Sequence, residues 1–204
     1  MLIRLFPENP DPRKIRQITE ILMNGGVIIY PTDTVYGIGC DITQPKAVER
    51  VAKIKGLNPE KNLMSFICHD LSHIADFSAP LSNTVFKMMK RNLPGPFTFI
   101  LNANNNVPKL LKSKRKTVGI RVPDNNIVRE IVRELGNPIL STSVVDEDEI
   151  LEYTTDPELI YEKYNDLVDI VIDGGYGENI PSAIIDCTNE EWDIIRKGPK
   201  ELVL

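Results

Sequence analysis

Apolar positions along this chain follow two rhythms: a helical recurrence every three or four residues, and short continuous or alternating runs. Capping residues, prolines and glycines mark the switches between them. Ile15, Ile18 and Leu22 recur at helical spacing after Asp11-Pro12, an N-cap followed by a first-turn proline, and Gly25-Gly26 closes the segment. Val27-Ile28-Ile29-Tyr30 is continuously apolar, as a short buried strand would be. Pro31 has no N–H for a ladder, so the strand ends there or lies at an edge. A second helix is predicted from Pro45 to Ile54, with Val48, Val51 and Ile54 on one face, followed by a strand from Leu63 to Cys68. Asp70 caps a short helix through Phe77, and Ser82 one through Arg91. Phe97 to Leu101 alternates as a strand, Val107 to Leu111 makes a helical turn, and Val118 to Val122 is a strand. Asp124 or Asn125 caps a helix through Leu135, ended by Gly136, and Pro138-Ile139-Leu140 leads a strand into a run of serines. Pro157 opens a helix to Tyr164, and Val168–Ile172, Ala183–Asp186 and Trp192–Arg196 supply the last strands. Helices and strands mix throughout, which makes the class α/β or α+β.

The first strand runs into Pro31-Thr32-Asp33-Thr34-Val35-Tyr36-Gly37-Ile38-Gly39-Cys40-Asp41, which reads as a glycine-spaced polar loop. Thr32 and Thr34 offer hydroxyls, Tyr36 a ring and a phenol, and the two glycines allow a turn or a close approach. Such a loop suits a small polar ligand. It equally suits a tight turn between strand and helix, because the spacing lacks the third glycine and the GK[ST] of phosphate loops.

Composition narrows the field. At 204 residues with 42% hydrophobic content the chain can bury a substantial core as one domain. No run of 18 apolar residues occurs, so no membrane span is expected. Three cysteines without a CxxC pair argue against a disulfide framework or a zinc site and point to a reducing cytoplasm. His69 and His73 lie four apart at a predicted helix start, are expected to face solvent, and have no further metal ligands nearby in sequence. The net charge of −5 is unevenly spread: from Phe77 to Pro123 there is no acid, while Lys112, Lys114, Arg115 and Lys116 crowd together. A basic middle in an acidic protein is a candidate anion or RNA face, or a solvated surface balanced by the acidic stretch from Asp146.

Pro31-Thr32-Asp33-Thr34-Val35-Tyr36-Gly37 resembles the entry motif of the YrdC-like family, the threonylcarbamoyl-AMP synthases. Leu93-Pro94-Gly95-Pro96-Phe97-Thr98, Gly119-Ile120-Arg121-Val122-Pro123, Ser141-Thr142-Ser143 and Pro181-Ser182-Ala183-Ile184-Ile185-Asp186 are similar to that family's other blocks, in its order and over most of the chain. The resemblance implies one domain over residues 1–204, a twisted mixed sheet with surrounding helices and a basic concave cleft. It implies no further C-terminal domain of the kind longer relatives carry. It implies ATP as substrate, with Mg²⁺ and no tightly bound cofactor, and L-threonine and bicarbonate as co-substrates in a reaction that feeds tRNA modification.

The same resemblance assigns roles. Lys53 and Lys55 stand where the synthases resemble Lys-x-Arg, cations that neutralise carboxylate and phosphate as they are brought together. Lys55 replaces the arginine and cannot form its planar fork. Thr32, Tyr36, Arg121, Ser141, Ser143, Ser182 and Arg196 match positions that line the substrate and nucleotide cleft. Arg121 also needs a partner on physical grounds, since an arginine in an apolar strand must meet a carboxylate or a ligand. Val145 stands where the synthases resemble asparagine in Ser-x-Asn, and valine offers no hydrogen bond. The two departures together resemble the YciO-type branch. The expected function is therefore a synthase-type nucleotidyltransferase with weak or redirected activity. The alternative is a module that binds double-stranded RNA or tRNA through the same basic face.

Overall fold

Side-chain caps set the helix starts. In a computed structural model, which describes residues 1–58, 64–108, 111, 116–144, 152–189 and 191–204, Asp11 accepts the Arg13 N–H to open α1 (Pro12–Met23). Proline is the first residue of α2 (Pro45–Ile54). Asp70 accepts the His73 N–H at the start of α3 (Leu71–Ala75), and Ser82 the Val85 N–H at the start of α4 (Asn83–Asn92). Asn125, not Asp124, caps α5 (Asn126–Leu135), and Gly136 ends it at φ 76°, a conformation glycine adopts without strain. A four-residue helix, α6 (Glu152–Thr155), precedes α7 (Pro157–Tyr164).

Ten strands, counted among the described residues, form one mixed sheet. In chain order they are β1 (Leu2–Arg4), β2 (Ile28–Tyr30), β3 (Gly37–Asp41), β4 (Ser65–Ile67), β5 (Phe97–Asn102), β6 (Thr117–Arg121), β7 (Ile139–Ser143), β8 (Ile170–Asp173), β9 (Ala183–Asp186) and β10 (Asp193–Arg196). Their order across the sheet is β1-β8-β2-β3-β7-β4-β6-β5-β9-β10. The β1–β8, β2–β8, β4–β6 and β5–β9 pairs are parallel and the rest antiparallel. β2 is continuously apolar because both its faces are covered. Ile29 belongs to the buried cluster that includes Val48 and Val51 of α2 and residues of α4 and α7, whereas Ile28 and Tyr30 belong to the one that includes Ile15, Ile18 and Leu22 of α1 and residues of α5.

The expected loop from Pro31 to Asp41 is half strand. The chain turns over Pro31–Tyr36, and Gly37–Asp41 returns as β3, antiparallel to β2 and to β7. Neither glycine has a positive φ. Gly37 and Gly39 are required for close approach: a β-carbon on Gly39 would lie 2.2 Å from the Leu140 carbonyl oxygen. The three-residue β1 and the four-residue α6 carried too little pattern to be predicted. The expected turn at Val107 to Leu111 falls partly outside the described residues, although the Leu111 N–H donates to the Pro108 carbonyl at 2.9 Å.

Candidate functional site: a polar cavity on one sheet face

Sheet register assembles the site. Gly37 pairs with Ser143, Ser65 with Ser141, Ile67 with Arg121, Arg121 with Thr98, Thr98 with Ile184, and Ile184 with Arg196. Directly paired residues project to the same face, as do residues two apart on one strand, so β3, β7, β4, β6, β5, β9 and β10 place these adjacent rows on one face of the sheet. Its β2 end is apolar and covered by α1 and α5. Farther along it is polar and floors a cavity of about 160 Å³, whose walls add Thr32, Val35, Tyr36, Pro181 and Ser182.

Arg121 lies in the row that runs from Ile67 through Thr98 and Ile184 to Arg196. Its side chain is 8% exposed and pairs with Asp33, itself 12% exposed. The same terminal nitrogen donates to Thr34 Oγ1 at 2.8 Å and to Thr32 Oγ1 at 3.2 Å. The lone arginine of the apolar strand thus has both a carboxylate and a place in the cavity wall. Thr32 turns the loop itself: its hydroxyl donates to the Val35 carbonyl at 2.8 Å and accepts the Thr34 N–H at 3.0 Å. At the far end Arg196 is held by the Ser182 carbonyl, which accepts from Nε at 3.0 Å and from a terminal nitrogen at 2.9 Å. Ser182 Oγ shares a 2.8 Å hydrogen bond with Thr98 Oγ1. Burial, and after it the charge of Arg121, pulls Arg196 below its ordinary pKa. The cavity thus brings two guanidiniums together with the hydroxyl-bearing residues Thr32, Thr98, Ser141 and Ser182.

The remaining expected residues divide. Ser141 and Ser143 stand on β7 in the cavity wall. Tyr36 lines it with its ring, but its phenol is spent on the backbone, donating to the Gly175 carbonyl at 2.6 Å and accepting the Gly174 N–H at 3.2 Å. Burial pushes that phenol up. Lys53 and Lys55, at the end of α2, are not among the residues lining the cavity. Lys53 is exposed, while Lys55 Nζ donates to the Val144 carbonyl at 2.9 Å, one residue beyond Ser143. Lys112, Lys114, Arg115 and Val145 lie outside the described residues, and Lys116 is exposed just before β6. Asp33, Ser65 and Thr98 were missed. Asp33 and Thr98 sit within recognised blocks, and for Asp33 the need of Arg121 for a carboxylate was the available signal; Ser65 becomes visible only through register.

The histidines correct an expectation. His73 is 6% exposed rather than solvent-facing, stacked edge-on against Phe77. Its Nδ1 meets His69 Nδ1 at 2.9 Å, an arrangement that needs one proton between the two nitrogens. Burial, then the charge of His69, lowers the His73 pKa, against the opposing pull of Asp76 and Asp70. A histidine depressed on folding binds fewer protons folded than unfolded, so its contribution is present above the unfolded value, 6.5. It is lost as the pH falls from there through the folded value. Urea midpoints should therefore drop between pH 7.5 and 5.5, and drop less in His73→Gln. An equal drop in both proteins would assign the loss to other groups.

Residues 20–198 match the Sua5/YciO/YrdC family model, described as "Telomere recombination". The chain belongs to this family. The Escherichia coli K12 relative YciO is 41% identical over 196 residues, 95% of this chain and 93% of that protein. The crystal structure of E. coli YciO superposes with a TM-score of 0.91 at 39% identity, covering 98% of this chain and 97% of that one. A threonylcarbamoyl-AMP synthase of Nitrosococcus oceani is 32% identical over 130 residues, 64% of this chain and 70% of that protein. The crystal structure of P. abyssi Sua5 complexed with L-threonine shares the fold, with a TM-score of 0.87 at 24% identity over 97% of this chain and 57% of that chain. Among the described residues of this Sua5/YciO/YrdC member, no helix is long and apolar enough to cross a membrane.

Proposed function

We propose that the cavity binds ATP together with a small carboxylate substrate, L-threonine with bicarbonate in the first instance, and catalyses slow threonylcarbamoyl-AMP formation. The observation that carries this reading is the pair Arg121 and Arg196 facing one hydroxyl-lined cavity. The synthase relative and the threonine complex of Sua5 support the substrate class. In the reaction the threonine amine and bicarbonate condense to a carbamate with loss of water. A carbamate oxygen then attacks the α-phosphorus of ATP and diphosphate leaves. No side chain need bond covalently to substrate. Catalysis is alignment and neutralisation by Arg121 and Arg196, with Lys55 held on the Val144 carbonyl beside Ser143. Mg²⁺ would arrive with ATP, as part of the substrate. The enclosed volume suits an amino acid, and the nucleotide would lie in the open mouth.

Lys55 and Val145 set the rate. Losing a hydrogen bond to a charged group costs on the order of 1.5–3 kcal/mol, so if the whole cost of Val145 falls on the transition state the rate drops roughly ten- to 150-fold. Diphosphate release with ATP, L-threonine and bicarbonate should be weak in the natural protein and faster in Lys55→Arg, Val145→Asn. Full turnover in the natural protein would show that neither position matters. If both proteins bind ATP but release no diphosphate, the carboxylate substrate is a different one.

A second reading rests on the acid-free stretch from Phe77 to Pro123. In it, double-stranded RNA or tRNA binds through phosphate contacts. Binding would then weaken steeply with salt and fall strongly when Lys112, Lys114, Arg115 and Lys116 are changed to glutamate. RNA affinity unchanged by those substitutions removes the cluster from this reading.

A further inference from the structure

Tyr30 does not line the cavity, yet its hydroxyl reaches a residue that does. It ends β2, Ser141 lies on β7, and β3 runs between them. The tyrosine spans β3 beside Gly37, where a β-carbon would sit 2.8 Å from Tyr30 Cζ and 3.1 Å from Ser141 Oγ. Its phenol donates to Ser141 Oγ at 2.5 Å. The direction of that bond follows from acidity: a phenol O–H is a much stronger acid than an alkyl hydroxyl, so the phenol gives the proton and the serine accepts. Tyr30 is wholly buried, burial pushes its phenol up, and it stays protonated.

Ser141 therefore has one lone pair occupied and its own proton unspent. No other hydrogen bond among the described residues engages its Oγ. The space left to that O–H is the cavity, which Arg121 and Arg196 also line. We propose that Tyr30 is a positioning residue which fixes the Ser141 hydroxyl as a hydrogen-bond donor to an oxyanion, carboxylate or phosphate, of the bound substrate. This role rests on the anion-binding reading of the cavity. Without the phenol, the serine hydroxyl is free to rotate and to present a lone pair to the anion instead.

The test is calorimetric titration of the full chain, in separate arms with ATP and with L-threonine, on the natural protein, Tyr30→Phe, Ser141→Ala and the double variant, each with its melting temperature recorded. Tyr30→Phe should weaken one of the two ligands about threefold to tenfold, the effect of one modest hydrogen bond. Ser141→Ala should weaken that same ligand at least as much, and the double variant should be no weaker than Ser141→Ala. Which arm moves identifies the oxyanion. A general loss of stability would lower the melting temperature without producing this coupling in affinity. If Ser141→Ala does not fold, Ser141→Cys, near in shape and a poor donor, takes its place. Unchanged affinity in Tyr30→Phe beside a weakened serine variant overturns the positioning role and leaves the anion site standing, as do effects that simply add. A natural protein that binds neither ligand overturns the anion site and the role together.

Discussion

Arg121→Met is expected to destabilise the protein by about 3–5 kcal/mol, because removing one partner of a buried ion pair strands the other. The stranded group is Asp33, only 12% exposed, and solvent can do little to screen it. Thr32 and Thr34 lose a donor at the same time. Adding Asp33→Asn to Arg121→Met should recover much of the stability, since a neutral amide is cheaper to bury than an unpaired carboxylate. It should not recover ligand binding, which needs the positive charge. Urea unfolding and ATP titration of the three proteins separate the two roles. A loss below about 1 kcal/mol in Arg121→Met would mean that the pair is solvated and does not hold the loop.

Gly39→Ala is expected to cost about 3 kcal/mol or more, at the upper end of what overpacking a core costs. The added methyl would meet the Leu140 carbonyl oxygen at 2.2 Å and Ile139 Cγ2 at 2.7 Å. A carbonyl in a ladder cannot rotate aside, so β3 and β7 would have to part in the middle of the sheet. Gly136→Ala is the control. It has φ 76° and nothing within 4 Å of the added carbon, so it bears only the left-handed penalty of about 1–2 kcal/mol. Denaturant midpoints of the two variants decide the matter: equal losses would put the requirement at Gly39 down to backbone freedom and not to crowding.

These glycines also show what the sequence could and could not convey. Capping chemistry is local, so Asp11, Asp70, Ser82 and Asn125 announce their helices, and Pro31 does end β2. Close approach is not local. Nothing beside Gly39 in the chain says that Leu140 will lie against it, and the glycine-spaced segment therefore passed for a loop. His73 was misplaced for a different reason: its ring neighbours His69 and Phe77 lie only four residues away on either side, but their spacing alone does not say that the face they share is buried. The family motifs put Thr32, Arg121, Ser141, Ser143, Ser182 and Arg196 on one list, and the structure puts them around one cavity. Motif membership did not reveal that Lys53 points to solvent, because helix-end exposure depends on what packs beyond α2.

The sheet order has a consequence for synthesis. β8 lies between β1 and β2, with Leu2 and Ile28 paired to Val171 and Ile170. At 5–20 residues per second, the first thirty residues leave the ribosome on the order of ten seconds before β8 does. β2 and β3 can form their hairpin in that interval, but the other edge of β2, apolar on both faces, stays open. α1 is complete by then, and its apolar stripe of Ile15, Ile18 and Leu22 is the cover the chain has on hand until its own late strand arrives to close the gap.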